Sequence, residues 1–445
     1  MEDGQGCSRQ CRVSVETMSA FHVLGIFAIL LLGILLFLVL AEPGLAYRVD
    51  GSDCAIDSHE FVGMVAALVD VPVFRSRQVE VLSRGVEFYA AELAAIRQAR
   101  HSIHLESFLF WPSPVGDRFL EALTQCARSG VRVRVVIDAI GCIITPDRYF
   151  AGLRKAGGQV VRYQPLRWYT LKRFNNRTHR ELIIIDGETG FIGGAGIADY
   201  WMAEERPGIP WRDTMLKVNG SLAAGLQASF VENWLESTGE ILSSPADFPY
   251  CRAALEQDTS AAILGLVVNS APSAGRSTRA RILFQLLLAS ATKSIQIQSP
   301  YFLPDASVRR ELARAVARGV KVDIILPGKH NNHPIARRAS RRRYGELLAC
   351  GVAIHEYQPG MNHAKVLIID QVWSVLGSTN FDNRSFGLND EVNIALVDRS
   401  LALRLQQDFE QDLAYSERMT LAAWRRRPMN ERILAFLGIA LERQQ

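Results

Sequence analysis

The 445-residue sequence predicts an α/β fold of two pseudo-symmetric α/β/α halves in one chain, preceded by a transmembrane helix. Three observations predict it. An order of helix and strand patterns occurs twice at matched positions. Each copy carries a His followed seven residues later by an Asp. One unbroken apolar run stands near the N-terminus. At 48% hydrophobic and 22% charged residues the chain can bury a full core. The net charge of +4 excludes a globally polybasic protein. ARRASRRRY (336–344) and WRRRP (424–428) are local basic clusters, read either as solvated helix faces or as contacts for an anionic partner.

After an N-terminal tail (1–19), AFHVLGIFAILLLGILLFLVLA (20–41) supplies the ~20 apolar residues that a bilayer-spanning helix needs. A signal peptide cleaved near GLA (44–46) is the competing reading, but the run is long for one. Arg9 and Arg12 precede the run, which favours a cytoplasmic N-terminus and an external catalytic unit. Unpaired cysteines are less expected outside, so the side stays open. The seven Cys form no CxxC pair and have no zinc-like His spacing, so they point to neither a disulfide framework nor a metal site.

Residues 42–74 read as a linker, 75–245 as the first half and 246–430 as the second. HSIHLESFLF (101–110) matches KSIQIQSPYF (293–302), each a buried strand after a helical pattern. DRFLEALTQCARSGVRVRVVID (117–138) matches ASVRRELARAVARGVKVDIIL (306–326): an amphipathic helix, a Gly at its end, then an apolar strand. LRKAGGQVVRYQP (153–165) matches LLACGVAIHEYQP (347–359), and GSLAAGLQASFVENW (220–234) matches RSLALRLQQDFEQDL (399–413). The break falls near 240–262, where SSPADFPY (243–250) looks like a linker, and ERILAFLGIALERQQ (431–445) looks like a short amphipathic segment.

The chemistry lies in THRELIIID (178–186) and NHAKVLIID (362–370). In an extended segment side chains alternate, so His363 and Lys365 share a face. A Lys beside a His suits an anion, the one neutralising charge and the other attacking or moving a proton. GSTN (377–380) offers backbone N–H groups, the Ser378 hydroxyl and the Asn380 amide, and Glu391 is placed to bond the second nitrogen of His363 and fix its tautomer.

The pattern H-x-K-x4-D-x6-G-S-x-N, present once intact and once altered, resembles the phospholipase D superfamily. GSTNFDNRSFGLNDEVN (377–393), YFLPD (301–305) and IHEYQPG (354–360) resemble its bacterial cardiolipin synthase branch. The resemblance covers about residues 75–430. It implies one site between the halves, no metal or other cofactor, and a phosphohistidine formed by one His while the other protonates the leaving alcohol. The catalytic set it implies is His179, His363, Lys365, Asp370, Asp186 and Glu391, with the first His often the nucleophile and the two Asp anchoring turns. Lys365, Ser378 and Asn380 would hold phosphate. Asp213, in WRDT, would be the counterpart of Glu391. The implied partners are anionic phospholipids, phosphatidylglycerol and cardiolipin, at a bacterial inner membrane, with no nucleic acid. Hydrolysis, a nuclease stacking bases on Tyr163, Trp168 and Tyr169, and a non-catalytic lipid-binding role are the alternatives.

The first copy departs from the pattern: Glu181 stands for the Lys and Gly196 for the Asn. A carboxylate repels phosphate unless compensated, with Arg177, Arg180, Lys172 and Arg173 as candidate partners. Three readings stay open: a relic half, a remodelled pocket with Glu181 paired or protonated, or a site for an ethanolamine or glycerol group.

Overall fold

The computed structural model describes residues 20–40, 47–49, 54–165, 175–202, 210–244, 247–248, 263–271 and 278–428. The chain divides into two units, Met1–Gly44 and Leu45–Gln445. The first holds a 21-residue helix, Ala20–Leu40, without an Asp, Glu, Lys or Arg. Its described side chains, 22–34, are all exposed. Among the described residues no helix is long and apolar enough to cross a membrane, those side chains being fewer than a span requires. The tail with Arg9, Arg12, Cys7 and Cys11, the inserted Trp168, Tyr169, Lys172 and Arg173, and the segment 431–445 lie outside the described residues.

The second unit contains sixteen described strands. In chain order these are β1 (Phe74–Ser76), β2 (Val79–Leu82), β3 (Ser102–Ser107), β4 (Arg132–Asp138), β5 (Gln159–Tyr163), β6 (Leu182–Ile185), β7 (Thr189–Gly193) and β8 (Met215–Asn219). There follow β9 (Ile263–Ser270), β10 (Ser294–Gln298), β11 (Lys321–Pro327), β12 (Ala353–Tyr357), β13 (Val366–Ile369), β14 (Trp373–Gly377), β15 (Glu391–Val397) and β16 (Ser416–Met419). One sheet runs β2-β8-β7-β6-β3-β4-β5 and the other β1-β9-β15-β14-β13-β10-β11-β12-β16. Apart from β1 and β16, the two orders superpose strand for strand. In each sheet three strands are parallel (β3-β4-β5, β10-β11-β12) and the rest antiparallel. Parallel pairs need helical crossovers, which is why the sequence alternates between periods of 3.6 and 2 there.

The crossovers obey local rules. Ser113 caps the helix Pro114–Arg128 by accepting from the Gly116 N–H, with Pro in its first turn. Asp305 does the same for Ala306–Ala317 from two N–H groups. Gly130 (φ 88°) and Gly319 (φ 90°) follow those helices in the left-handed region, where a Cβ would be strained. The helices Ser221–Thr238 and Arg399–Ala414 lie between the sheets. Their Leu222, Leu226, Phe230, Leu401 and Leu405 join one core with Ile184, Leu216, Val366 and Ile394 from both halves.

Several expectations change. Residues 42–74, expected as a linker, include the helix His59–Leu68, whose Phe61 and Val65 are buried in the core of the second sheet. β1, expected in the first half, pairs with β9 of the second sheet. In the expected break, Asp247 is buried and pairs with Arg134 at 3.2 Å. The basic cluster 336–344 is no open patch: Arg337 and Arg341 both pair with buried Glu356, at 3.0 and 3.1 Å. Among the free cysteines Cys126 and Cys142 are buried, while Cys54 and Cys350 are exposed.

Asp186 and Asp370, grouped by motif with the catalytic residues, sit at the far ends of β6 and β13. Both have positive φ, 54° and 53°. Asp186 accepts from the N–H groups of Arg100, His101 and Ser102, and Asp370 from those of Thr292, Lys293 and Ser294, all within 2.9 Å. Each carboxylate ties its own turn to the start of β3 or β10, and that is a structural task. Asp370→Ala should therefore cost about 3 kcal/mol of stability through the stranded amides. A lower thermal midpoint with turnover per folded molecule retained is the expected result; a loss of kcat without a loss of stability would restore Asp370 to the chemistry.

Candidate active site

The two His segments enter β6 and β13 as extended chain, and the alternation of side chains builds the site. Arg177, His179 and Glu181 line one cavity of about 620 Å³, as do His363, Asn380 and Asp382 from the second half. Between them Thr178 and Arg180 point the other way: the Thr178 hydroxyl donates to Glu106, and the Arg180 guanidinium donates to Ser229 O and Glu232, both at 2.7 Å. Tyr200, Trp201, Trp211 and Leu303 supply much of the apolar wall.

Two short parallel bridges cross between halves. Thr178 pairs with Asp390, and Arg212 pairs with Asn362. The His179 N–H donates to Asp390 O at 2.9 Å, and the His363 N–H donates to Arg212 O at 2.6 Å. Each bridge puts one imidazole beside a carboxylate of the opposite half. The sequence expectation that Glu391 serves His363 is thereby corrected. Glu391 lies 3.1 Å from His179 Nδ1, while Asp213 lies 2.8 Å from His363 Nδ1. Both carboxylates are fully buried and firmly held. Asp213 also accepts from the Trp201 indole and the Thr214 N–H, at 3.2 and 2.9 Å. With Nδ1–H given to a carboxylate, each ring has its Nε2 as the nitrogen for chemistry, that of His363 standing 3.3 Å from Lys365 Nζ.

The electrostatics of the two rings differ. Burial, and then the neighbouring Lys365, pull the His363 pKa down to about 4, against the pull of Asp213. Lys365 donates to His363 O at 2.8 Å and stands 2.9 Å from Nδ1; its own pKa is lowered by burial to about 8. Gly194 makes room for it, since a Cβ there would come within 2.7 Å of Lys365 Nζ. His179 has Glu181 at the matching motif position instead of a cation.

Among the described residues no arginine answers Glu181. Its Oε1 accepts the Phe108 N–H at 3.1 Å, and its Oε2 lies 2.6 Å from the Ser107 hydroxyl. That hydroxyl has one proton and also lies 2.7 Å from Leu109 O. If the serine donates to the carbonyl, the carboxyl must donate to the serine. Burial raises the Glu181 pKa well above the usual carboxylate range, which agrees with a neutral acid. Gly196 belongs to the same change: a Cβ there would come 2.8 Å from Leu109 Cβ and 3.0 Å from Glu181 Oε1. The two departures of the first motif are thus one packing solution.

Ser378, expected on phosphate, donates instead to Glu391 and accepts the Val392 N–H, so it orients the carboxylate. Asn380 does line the cavity, with Oδ1 lacking a hydrogen-bond partner. Tyr163, a candidate stacking platform, is buried with its hydroxyl on Glu236 and Asp390. Sequence reading missed Ser107 and Trp201, which no motif spacing marks, and gave Gly194 of GGAG and Trp211 of WRDT no role of their own. Trp201 and Trp211 have ring centroids 5.7 and 5.3 Å from His363.

A duplicated α/β unit whose paired imidazoles share one cavity defines a protein of the phospholipase D superfamily. The family profile described as "Cardiolipin synthase, PLD-like domain" matches residues 93–202 and 285–413. The cardiolipin synthase of Alkalihalophilus pseudofirmus is 33% identical over 82% of this chain and 71% of its own length. Cardiolipin synthase A of Pseudomonas putida is 34% identical over 80% and 73%. The solved phosphatidylserine synthase of Haemophilus influenzae shares the fold, with a TM-score of 0.68 and 15% identity over 87% of this chain and 100% of that one. The chain belongs to the cardiolipin synthase family.

Glu181→Gln keeps a neutral group of the same shape, and should retain activity within about twofold. Glu181→Lys would set a buried cation against the Phe108 N–H and should lower both activity and the thermal midpoint. A gain on Glu181→Lys in a headgroup-release assay would contradict this account.

Proposed function

We propose that the protein is a cardiolipin synthase that moves the phosphatidyl group of one phosphatidylglycerol onto the glycerol hydroxyl of a second. The observation that carries the chemistry is the unequal pair of imidazoles in one cavity. A nucleophile must be neutral, and the buried His363 beside a lysine is neutral above about pH 4. This reverses the order expected from the resemblance.

In the first step His363 Nε2 attacks phosphorus, the bond to the leaving glycerol oxygen breaks, and a protonated His179 delivers its proton to that oxygen. In the second step the acceptor hydroxyl gives its proton to His179 as its oxygen attacks phosphorus. The phosphorus–nitrogen bond breaks and its electron pair returns to His363. Lys365 and Asn380 offset the phosphate charge; a cation ~4 Å away is worth ~4 kcal/mol at an effective dielectric of about 20. An ionised Glu181 would oppose it on the same scale, so the neutral acid is required for the first half to serve. The aromatic and apolar wall keeps water from the phosphohistidine, which favours an alcohol acceptor over hydrolysis.

We also propose that the helix Ala20–Leu40 anchors the enzyme as a single pass in the bacterial inner membrane. Its charge-free 21 residues support this, and resistance to carbonate extraction checks it.

Incubation of the purified protein with phosphatidylglycerol vesicles should give cardiolipin and free glycerol in equal amounts. Phosphatidic acid in place of cardiolipin would mean a hydrolase. His363→Ala should lower turnover by at least ~10³-fold, and a phosphohistidine trapped at residue 179 instead would overturn the assignment.

The pH profile is a separate check. kcat/KM should fall below about pH 4 as His363 gains a proton, and above about pH 8 as Lys365 loses one. In Lys365→Arg the alkaline limb should move up by several units, because guanidinium stays charged. A limb that does not move would detach it from Lys365.

A further inference from the structure

Two guanidinium groups, Arg177 and Arg384, line the same cavity as the imidazoles, and the chemistry described so far uses neither. Arg177 is 2% exposed. Its Nε and Nη2 donate to Asn176 O and Gln164 O, while Nη1 has no hydrogen-bond partner. The nearest carboxylate oxygen to Nη1, Asp138 Oδ1, is 3.6 Å away and already accepts the N–H groups of Ile140 and Gly141 at 2.8 and 2.9 Å. Arg384 donates to Asn175 Oδ1 at 2.7 Å, which fixes it against the segment that carries Arg177. Burial lowers the Arg384 pKa; Asp382 and Asp138 oppose that shift, and the Arg177 charge adds to it. The acid on their side of the cavity, Asp382, is turned to the Ser385 N–H as a helix cap, at 2.7 Å. Two further cavity-lining groups, Ser385 Oγ and Asn389 Oδ1, are buried without a hydrogen-bond partner.

Buried polar atoms without partners are uncommon in a folded chain, and a cluster of them beside paired guanidinium groups calls for an anion with hydroxyls. The position of the cluster says which anion. Arg177 precedes His179 by two residues on the same face of an extended segment, a separation of roughly 6.6 Å along the chain. The phosphorus under attack lies at the imidazoles, so the guanidinium pair lies about one three-carbon bridge away. In cardiolipin the two phosphates are joined by a three-carbon glycerol.

We propose that Arg177 and Arg384 form a second phosphodiester subsite, which holds the phosphate of the acceptor lipid while its glycerol hydroxyl reaches the phosphohistidine. Ser385 and Asn389 lie where they meet that phosphate and the bridging glycerol. The subsite selects an anionic glycerophospholipid over water and simple alcohols as the acceptor. It rests on the transferase reading, and it assigns the two arginines to the second step and not to the first.

The test separates the two steps by changing the acceptor. The full-length protein in phosphatidylglycerol vesicles is given either no added alcohol or ethanol, and cardiolipin and phosphatidylethanol are measured. Ethanol carries no phosphate. In Arg384→Gln the ratio of cardiolipin to phosphatidylethanol should fall by ~10- to 100-fold, the scale of one lost charge-assisted hydrogen bond. The loss should appear in the KM for the acceptor, and Arg384→Lys should recover part of it. A constant ratio overturns the subsite, whether both products fall together or neither changes. A wild-type enzyme that makes neither product sinks the transferase reading and this subsite with it.

Discussion

Each imidazole of this protein depends on a carboxylate from the other half. His179 is backed by Glu391 and His363 by Asp213, and each contact is held by a short backbone bridge between the same two segments. A half on its own would have an imidazole without its tautomer set and a buried carboxylate without its partner, and a buried unpaired carboxylate is costly. The shared core between the sheets has the same consequence, because the helices Ser221–Thr238 and Arg399–Ala414 bury residues against strands of both halves. Duplication here is therefore a condition of the chemistry as well as of the fold. The symmetric sheets place two equivalent segments on either side of one axis, and only there can one cavity see both rings.

Within that symmetric frame the charges are unequal, and on the proposed reaction the inequality divides the work. The second half keeps a lysine beside its histidine. The first keeps Glu181, whose pKa burial raises, tied to Ser107 and Phe108 and given space by Gly196. A cation beside His363 favours the neutral ring of a nucleophile. His179 has no such cation at the Glu181 position and keeps the Glu391 carboxylate 3.1 Å from its Nδ1, which on the proposed reaction suits a proton carrier.

Much of this was legible in the sequence. The strand orders of both sheets follow the matched segments, because apolar periodicity and helix-ending glycines are local and survive duplication. The two histidines, Lys365 and Asn380 carry motif spacing, and alternation along a strand puts them on one face. The turn-anchoring role of the Asp of each motif came from the family resemblance. The segment 54–76 was not legible. Its helix and β1 dock on the second sheet across some 200 residues of sequence, and nothing local tells a linker from an early strand of a distant partner.

By itself the sequence determined the α/β class, the duplicated order, the shared motif face and the family. All of these rest on patterns of a few residues whose physics is local. Only the tertiary structure decided which carboxylate serves which histidine, that Ser378 holds Glu391, and that Glu181 bonds Ser107 and Phe108. Those outcomes depend on distances between groups far apart in the chain, such as the 2.8 Å between Asp213 and His363. They depend also on burial, which sets the charge of a carboxyl or an imidazole more strongly than the identity of its neighbours in sequence.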